Sequence, residues 1–340
     1  MWVPTDNPNM MDRSNPRIAI VTGEAVTDGN HLGTANGGTA AGETTPELTD
    51  DGRALATELD DRGYRAEPVV WFASDAEWRA FDALVLRSCF RYFERIEAFR
   101  DWLAAVEAAD VELVNPPDVV RWNVHKGYLT DLADAGVPIP PTDVIERGSD
   151  VELRTVLDRN GWPEAVVKPA VGTSSNAVWR CSIDEAAGRQ DRFASLLADG
   201  DVLVQEFLPS VADGEASLVF FAGEYAYASR TVPAPNDFRA HHRFGAQTEH
   251  IEPSTDVIER AGVTLAAAAD ACGRDPSALP YARVDGVVDD GTFRVLEIEL
   301  VEPYLGLARA EGAAKRFVDA LEGVLDDDGP VGQVREVQQR

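Results

Sequence analysis

Three carboxylates near the end of the chain are spaced for chemistry. Asp285 lies in Arg283-Val284-Asp285, and Glu297 and Glu299 lie in Leu296-Glu297-Ile298-Glu299-Leu300. Both segments read as β-strands, joined by the hairpin turn Asp289-Asp290-Gly291. Side chains two apart on a strand share a face, so Glu297 and Glu299 point together while Ile298 and Leu300 point away. The turn can bring Asp285 to that same face. Hard oxygen donors gathered this way suit Mg2+, which takes carboxylates and leaves positions for phosphate oxygens. Arg283 sits two before Asp285 and shares its face as a cation. The competing reading is the solvated face of an edge hairpin, which the apolar residues flanking both strands disfavour.

Other residues have the chemistry to meet a nucleotide. Lys168 ends a β-branched run and precedes Pro169, where a lysine can neutralise phosphate. Gly172-Thr173-Ser174-Ser175 offers backbone amides and hydroxyls beside it. It is not a Walker A sequence, and a plain β-turn explains it equally well in isolation. Gln205-Glu206-Phe207-Leu208-Pro209 leaves a strand at a proline, a strand end able to pair with an adenine ring that Leu208 would cover. Glu215 could hold ribose hydroxyls, and Arg230 is a further phosphate cation. Arg87 and Ser88 close a predicted parallel strand, at the end where open α/β sheets bind ligands. Arg87 could grip a substrate carboxylate, with a structural salt bridge as the alternative. Gly172 to Ser175 and Pro233 to Gln247 are candidate lids. The second carries His241 and His242, read as exposed or catalytic.

The elements that position these residues begin after a loose leader, 1–16. Arg17 to Thr22, Glu67 to Trp71 and Asp82 to Arg87 read as strands, alternating with a helix ending near Gly63 and another from Glu94 to Ala109. That alternation predicts a parallel sheet and a first α/β domain over 17–115. A long Gly/Thr-rich loop spans Gly23 to Pro46. A central unit, 116–200, opens with one helix from Val119 to Ala135 and continues as strand, glycine loop and strand through Val166 to Arg180. A third unit, 201–325, holds the strand at Val202, a hairpin around Gly223, a helix from Thr255 to Cys272, the carboxylate hairpin and a final helix from Ala308 to Leu325. A charged tail, 326–340, follows.

The 340 residues carry 59 acidic against 31 basic side chains, for a formal net charge of -28. Such a surface repels nucleic acid and anionic membranes. Only three of the cations are lysines, Lys126, Lys168 and Lys315. Acid excess with so little lysine reads as a halophilic protein of a salt-rich cytoplasm. Cys89, Cys181 and Cys272 are too scattered for a zinc site or a disulfide framework. No apolar stretch is long enough to span a bilayer and the amino terminus lacks a signal-peptide core, so the expected location is cytoplasmic.

Taken in order, these motifs resemble the ATP-grasp superfamily over about residues 116 to 325. The set is Lys126 before a Gly136-Val137-Pro138 turn, then Lys168-Pro169 with its small-residue loop, Gln205 to Pro209, Glu215, Arg283-x-Asp285 and Glu297-x-Glu299. The resemblance implies an α/β fold, α+β in its second half, in which two subdomains clasp ATP beside an N-terminal parallel-sheet domain. It implies that Lys126, Lys168 and Arg230 contact ATP phosphates under the Thr173, Ser174, Ser175 loop. Gln205, Glu206, Phe207 and Leu208 would surround the adenine and Glu215 the ribose. Asp285, Glu297 and Glu299 would hold Mg2+ or Mn2+, and Arg283 would stabilise the transferring phosphoryl group. Many members have asparagine where this chain has Glu299.

Within the superfamily the chain is most similar to the glutathione-synthetase-like branch. Leu86-Arg87-Ser88, Tyr92, Phe99-x-x-Trp102-Leu103 and Glu297 to Pro303 resemble the cyclo-ligases of D-cycloserine biosynthesis. The implied activity is ATP-dependent activation of a small-molecule carboxylate as an acyl phosphate, attacked by an amine or another nucleophile, with a homodimer as a candidate assembly. The alternative is a nucleotide-binding sensor or regulatory protein of the same fold without ligase activity. A Rossmann-type oxidoreductase is disfavoured because no G-x-G-x-x-G follows the first strand.

Overall fold

The computed structural model describes residues 16–24, 46–89 and 91–325. Nearly all of the leader, the expected loop between Gly23 and Pro46 (apart from its two ends) and the charged tail lie outside them.

The first sheet is parallel, with strands β1 (Arg17–Thr22), β2 (Arg65–Val70), β3 (Ala83–Leu86) and β4 (Glu112–Val114) in the order β2-β1-β3-β4. The apolar β-branched run of β1 reflects burial on both faces. Ile18 and Ile20 pack with Leu55 and Leu59 of helix α1 (Asp50–Asp61). Ala19 and Val21 pack with Phe99, Leu103 and Val106 of helix α2 (Ile96–Ala108). Thr49 caps α1 by accepting from the Gly52 N–H.

The second sheet is antiparallel. Helices α3 (Pro117–Asn123) and α4 (Tyr128–Asp134) precede it. The single helix expected from Val119 to Ala135 is therefore two, broken at residues 124–127. Gly127 permits the break: a Cβ there would lie 2.7 Å from His125 Nδ1. Strands β5 (Thr142–Ile145), β6 (Glu164–Pro169), β7 (Trp179–Ser182) and β8 (Val202–Glu206) run in the order β5-β8-β6-β7. Helices α5 (Leu153–Asn160) and α6 (Gln190–Asp199) cover one face, with Leu153, Val156, Phe193 and Leu197 against Ala165, Val167, Val202 and Val204. Because β8 pairs with both β5 and β6, the division expected after residue 200 cuts through this sheet.

The third sheet holds β9 (Glu215–Phe221), β10 (Glu224–Val232), β11 (Gln247–Ile251), β12 (Tyr281–Asp289) and β13 (Thr292–Glu299), antiparallel in the order β11-β10-β9-β12-β13. Helix α7 (Thr255–Ala271) buries Val257, Ala261 and Leu265 against Leu218, Val284 and Ile298 on one face. On the other face, Val219, Phe221 and Tyr281 join the core of the first sheet through Phe317 of helix α8 (Ala313–Leu325). That helix starts later than the expected Ala308, after Gly312 at φ +68.

Candidate active site

The carboxylate hairpin is β12–β13. Its register sets Asp285 opposite Glu297 and Arg283 opposite Glu299. Asp285 also faces Ser217 on β9, two residues from Glu215, so all four carboxylates share one face. A bulge at Asp285/Gly286 maintains this alignment. Gly286 is required there, since a Cβ would meet the Arg294 carbonyl and the Phe293 ring at 2.5 Å.

Arg283 binds its neighbours through the whole guanidinium fork. Nε donates to Asp285 at 2.9 Å, Nη2 to Asp285 at 2.8 Å and to Glu299 at 2.6 Å, and Nη1 to the Tyr304 carbonyl at 2.9 Å. Lys126 Nζ donates to Glu297. Asp285 is only 2 % exposed, and a charge so buried needs such a partner. The balance is still acidic. Burial pushes the Glu215 carboxyl up, and Asp285 adds to it. Burial also raises Glu299, against the pull of Arg283. At Glu297 burial is more than offset by Lys126 and Lys168, which hold it low. Arg283 lies between Asp285 and Glu299 while Lys126 caps Glu297, and among the described residues no group of three is placed to hold a metal ion. The carboxylates expected to converge share a face but do not meet at a point.

Lys126 is not on a helix as expected but in the turn between α3 and α4, where its N–H donates to the Ala170 carbonyl at 2.7 Å. Lys168 is 9 % exposed and donates to Gln205 Oε1 at 3.3 Å. Burial pulls its pKa down to about 8, against the attraction of Glu297. Gln205 is anchored by donating to Thr142 Oγ1 at 2.8 Å. Thr173, Ser174 and Ser175 lie in the β6–β7 loop, with Ser174 and Ser175 at φ 55 and 54. Glu206 ends β8 half-buried, and Leu208 is buried. Phe207 lies under the Arg180 guanidinium at 3.7 Å.

Three expectations meet a different placement. Arg87 is 1 % exposed, donates to the Pro303 carbonyl and stacks over Tyr281 at 5.2 Å, so it lies within the core, with Nε and Nη1 lacking a hydrogen-bond partner among the described residues. Ser88 is buried and shares a hydrogen bond with the Thr49 hydroxyl at 2.9 Å. Arg230 lies opposite Ala216, out of phase with Glu215, and pairs with Glu249 at 2.5 Å. It therefore stands on the other face of the sheet. His241 and His242 stack at 4.3 Å in the β10–β11 segment, and burial with neighbouring cations pulls His241 down to about 4.

Residues that motif reading missed hold the site in place. Asn123 bonds the backbone of Ile298 and Leu300, and the Tyr128 hydroxyl bonds both backbone groups of Ile298. Asn115 donates to the Leu300 and Tyr281 carbonyls. Asp51 accepts from the N–H groups of Leu305, Gly306 and Leu307 at 2.6, 3.1 and 2.7 Å. Glu302, raised to about 8 by burial and by Glu299, is a further buried carboxyl beside Arg87. No local spacing signals these roles.

Comparison with known proteins places this geometry. Residues 38–115 match the family model described as D-cycloserine synthetase DcsG, N-terminal domain. Over 276 residues the chain is 36 % identical to the cycloserine biosynthesis protein DcsG of Streptomyces lavendulae, covering 76 % of this chain and 88 % of that protein. The chain belongs to the DcsG family of ATP-grasp ligases. The crystal structure of D-cycloserine synthetase DcsG superposes with a TM-score of 0.78 at 31 % identity, covering 91 % of this chain and all of that one. The glutathione synthetase of Agrobacterium fabrum (strain C58 / ATCC 33970) is 27 % identical over 158 residues, covering 45 % of this chain and 47 % of that protein. The D-alanine–D-alanine ligase from Bacillus anthracis, complexed with ATP, shares the fold, with a TM-score of 0.61 at 18 % identity over 95 % of this chain and 99 % of that one. Membership in the DcsG family makes the chain an ATP-dependent ligase and not a nucleotide sensor.

Proposed function

We propose that the chain activates the carboxylate of an amino-acid-like small molecule as an acyl phosphate, which a nitrogen nucleophile of the same or a second molecule then attacks. The observation that carries this is Arg283 bridging Asp285 and Glu299 one step along the hairpin from the Lys126–Glu297 pair. Cations and carboxylates there form one layer, able to face a phosphoryl group and a metal ion together. Asp285, Glu297 and Glu299 offer the hard oxygens that Mg2+ or Mn2+ takes, and would hold the ion once Arg283 and Lys126 turn from them to the phosphates. The ion would supply charge neutralisation on the phosphates.

Lys126 and Lys168 bind phosphate oxygens of ATP. Gln205 to Leu208 receive the adenine, and Glu215 stands near the ribose. Arg283 holds charge on the γ-phosphoryl as it passes to the substrate carboxylate and ADP leaves. The 172–175 loop and the 233–247 segment exclude water, so that the acyl phosphate meets its nucleophile and releases phosphate. The homology to a cycloserine biosynthesis protein supports a ring-closing variant. The acid excess supports a salt-rich cytoplasmic setting, and no helix among the described residues is long and apolar enough to cross a membrane.

The test is phosphate release from ATP and Mg2+ in high salt across a panel of amino acids and small peptides. At least one substrate should stimulate release, and Glu297→Gln should abolish it. Tight ATP binding with no stimulation by any of them would remove the amino-acid-like substrate.

A further inference from the structure

Beside β7, the outer strand of the second sheet, lies a cavity of about 600 Å3. Its charge is out of character for a chain with a net charge of -28. Arg180, Arg189, Arg192 and Arg239 line it. The carboxylates that also line it are already engaged. Glu164 pairs with Arg180, and Asp237 pairs with Arg239 at 2.7 Å. Glu185 accepts from the N–H and the hydroxyl of Ser182 at 3.1 Å each. Arg189 and Arg192 are left without an ion pair among the described residues.

Three of the four guanidiniums are held against aromatic rings. Arg180 lies over Phe207 at 3.7 Å, Arg192 over Trp179 at 4.8 Å and Arg239 over Phe244 at 3.5 Å. Arg180 and Arg239 spend their N–H edges on Glu164 and Asp237, whereas stacking fixes the plane of the Arg192 fork and leaves its edge unpaired among the described residues, the arrangement that suits an oxyanion. Burial and the like charges of Arg189 and Arg239 all disfavour the charge on Arg192. Arg189 and Arg192 in particular repel one another until an anion joins them.

The cavity adjoins the adenine end of the nucleotide layer, since Arg180 lies over Phe207, but Lys126, Lys168, Gln205 and Glu215 do not line it. Its walls come from β7, from the residues around α6 and from the β10–β11 segment. We propose that it is a second anion site, separate from that of ATP, which takes a phosphoryl dianion, either free or on a small organic molecule. Trp179 and Phe238 give the organic group an apolar wall. An occupant would tie the 233–247 segment to the second sheet.

Calorimetric titration with inorganic phosphate and with phenyl phosphate, at fixed chloride, tests this. Saturable binding of one equivalent is expected in the wild type and in Lys168→Met. The double variant Arg189→Ala/Arg192→Ala should bind roughly tenfold more weakly or worse, while its ATP affinity is unchanged. Should that variant not fold, Arg192→Gln alone should show the same direction of change with Trp179 packing kept. A tighter constant for phenyl phosphate assigns the site to a phosphorylated organic molecule, and equal constants assign it to phosphate itself. The proposal falls if neither probe saturates, if binding disappears in Lys168→Met, or if the arginine variants bind as the wild type does.

Discussion

Asn123 grips the backbone around Leu300 with both ends of its amide. Oδ1 accepts from the Leu300 N–H at 2.8 Å, and Nδ2 donates to the Ile298 carbonyl at 2.8 Å. β13 is the outer strand of its sheet, and a side chain here does the work of a missing neighbour. Glu299 lies between the two bonded residues, and Lys126 follows Asn123 by three positions. The α3–α4 turn therefore fixes the carboxylates and supplies the cation that meets them.

Asn123→Ala strands the buried Leu300 N–H and leaves the Ile298 carbonyl with the Tyr128 hydroxyl as its remaining donor. Equilibrium denaturation should show a loss of about 2 kcal/mol or more. The apparent Mg2+ requirement for turnover should also rise, because Glu299 loses its fixed backbone. An unchanged midpoint would mean that water replaces both bonds.

Arg283→Lys keeps the charge and loses the fork. A single ammonium cannot serve Asp285, Glu299 and the Tyr304 carbonyl together. Turnover should fall by roughly 10²-fold or more, with ATP affinity changed far less, since the arginine acts on the transferring group. Steady-state rates and nucleotide titration separate the two quantities.

Lys168 gives opposite pH dependences for stability and for binding. Its folded pKa is lowered to about 8 from an unfolded 10.5 by burial. The unfolded chain therefore holds more protons in that window, and Lys168's contribution to stability improves as pH rises from about 8 to 10.5. ATP needs the charged form, so its affinity should weaken over the same rise. Lys168→Arg stays protonated and should remove the binding limb, as nucleotide titration against pH would show.

Asp51 accepts three backbone N–H groups beyond β13, from Leu305 to Leu307. Asp51→Ala leaves them buried or half-buried without an acceptor, at a cost of about 3 kcal/mol in denaturation. Asp51→Asn keeps one acceptor oxygen and should recover part of that loss.

The net charge of -28 makes the folded chain repel itself. Thermal midpoints should climb with KCl well beyond the concentration that screens ordinary surface pairs. A midpoint flat in salt would remove the salt-rich setting.

The turn and alternation of the carboxylate hairpin were legible in the sequence because they are local, while the bulge at Asp285/Gly286 that sets Asp285 opposite Glu297 and not Leu296 was not. Strand alternation puts Glu297 and Glu299 on one face, and Asp289-Asp290-Gly291 turns the chain between the strands. The Lys168 strand, the Gln205 strand end and the alternating first sheet are legible for the same reason. The ordered set of motifs was enough to mark the superfamily.

Tertiary structure decided what depends on register or on distant segments. The spacing around Gly223, read as a simple hairpin, would set Arg230 opposite Glu215. A bulge between Tyr225 and Tyr227 shifts the pairing so that Glu215 faces Thr231, and one residue of slip sends Arg230 to the other face. Arg87 ends its strand as expected, but Tyr281 and Phe317, some two hundred residues away, close over it. The break that frees Lys126 was marked only by Gly127, and its purpose appears once β13 lies beside it. Local periodicity placed the charges on their strands; which charges meet was settled by packing between segments far apart in the chain.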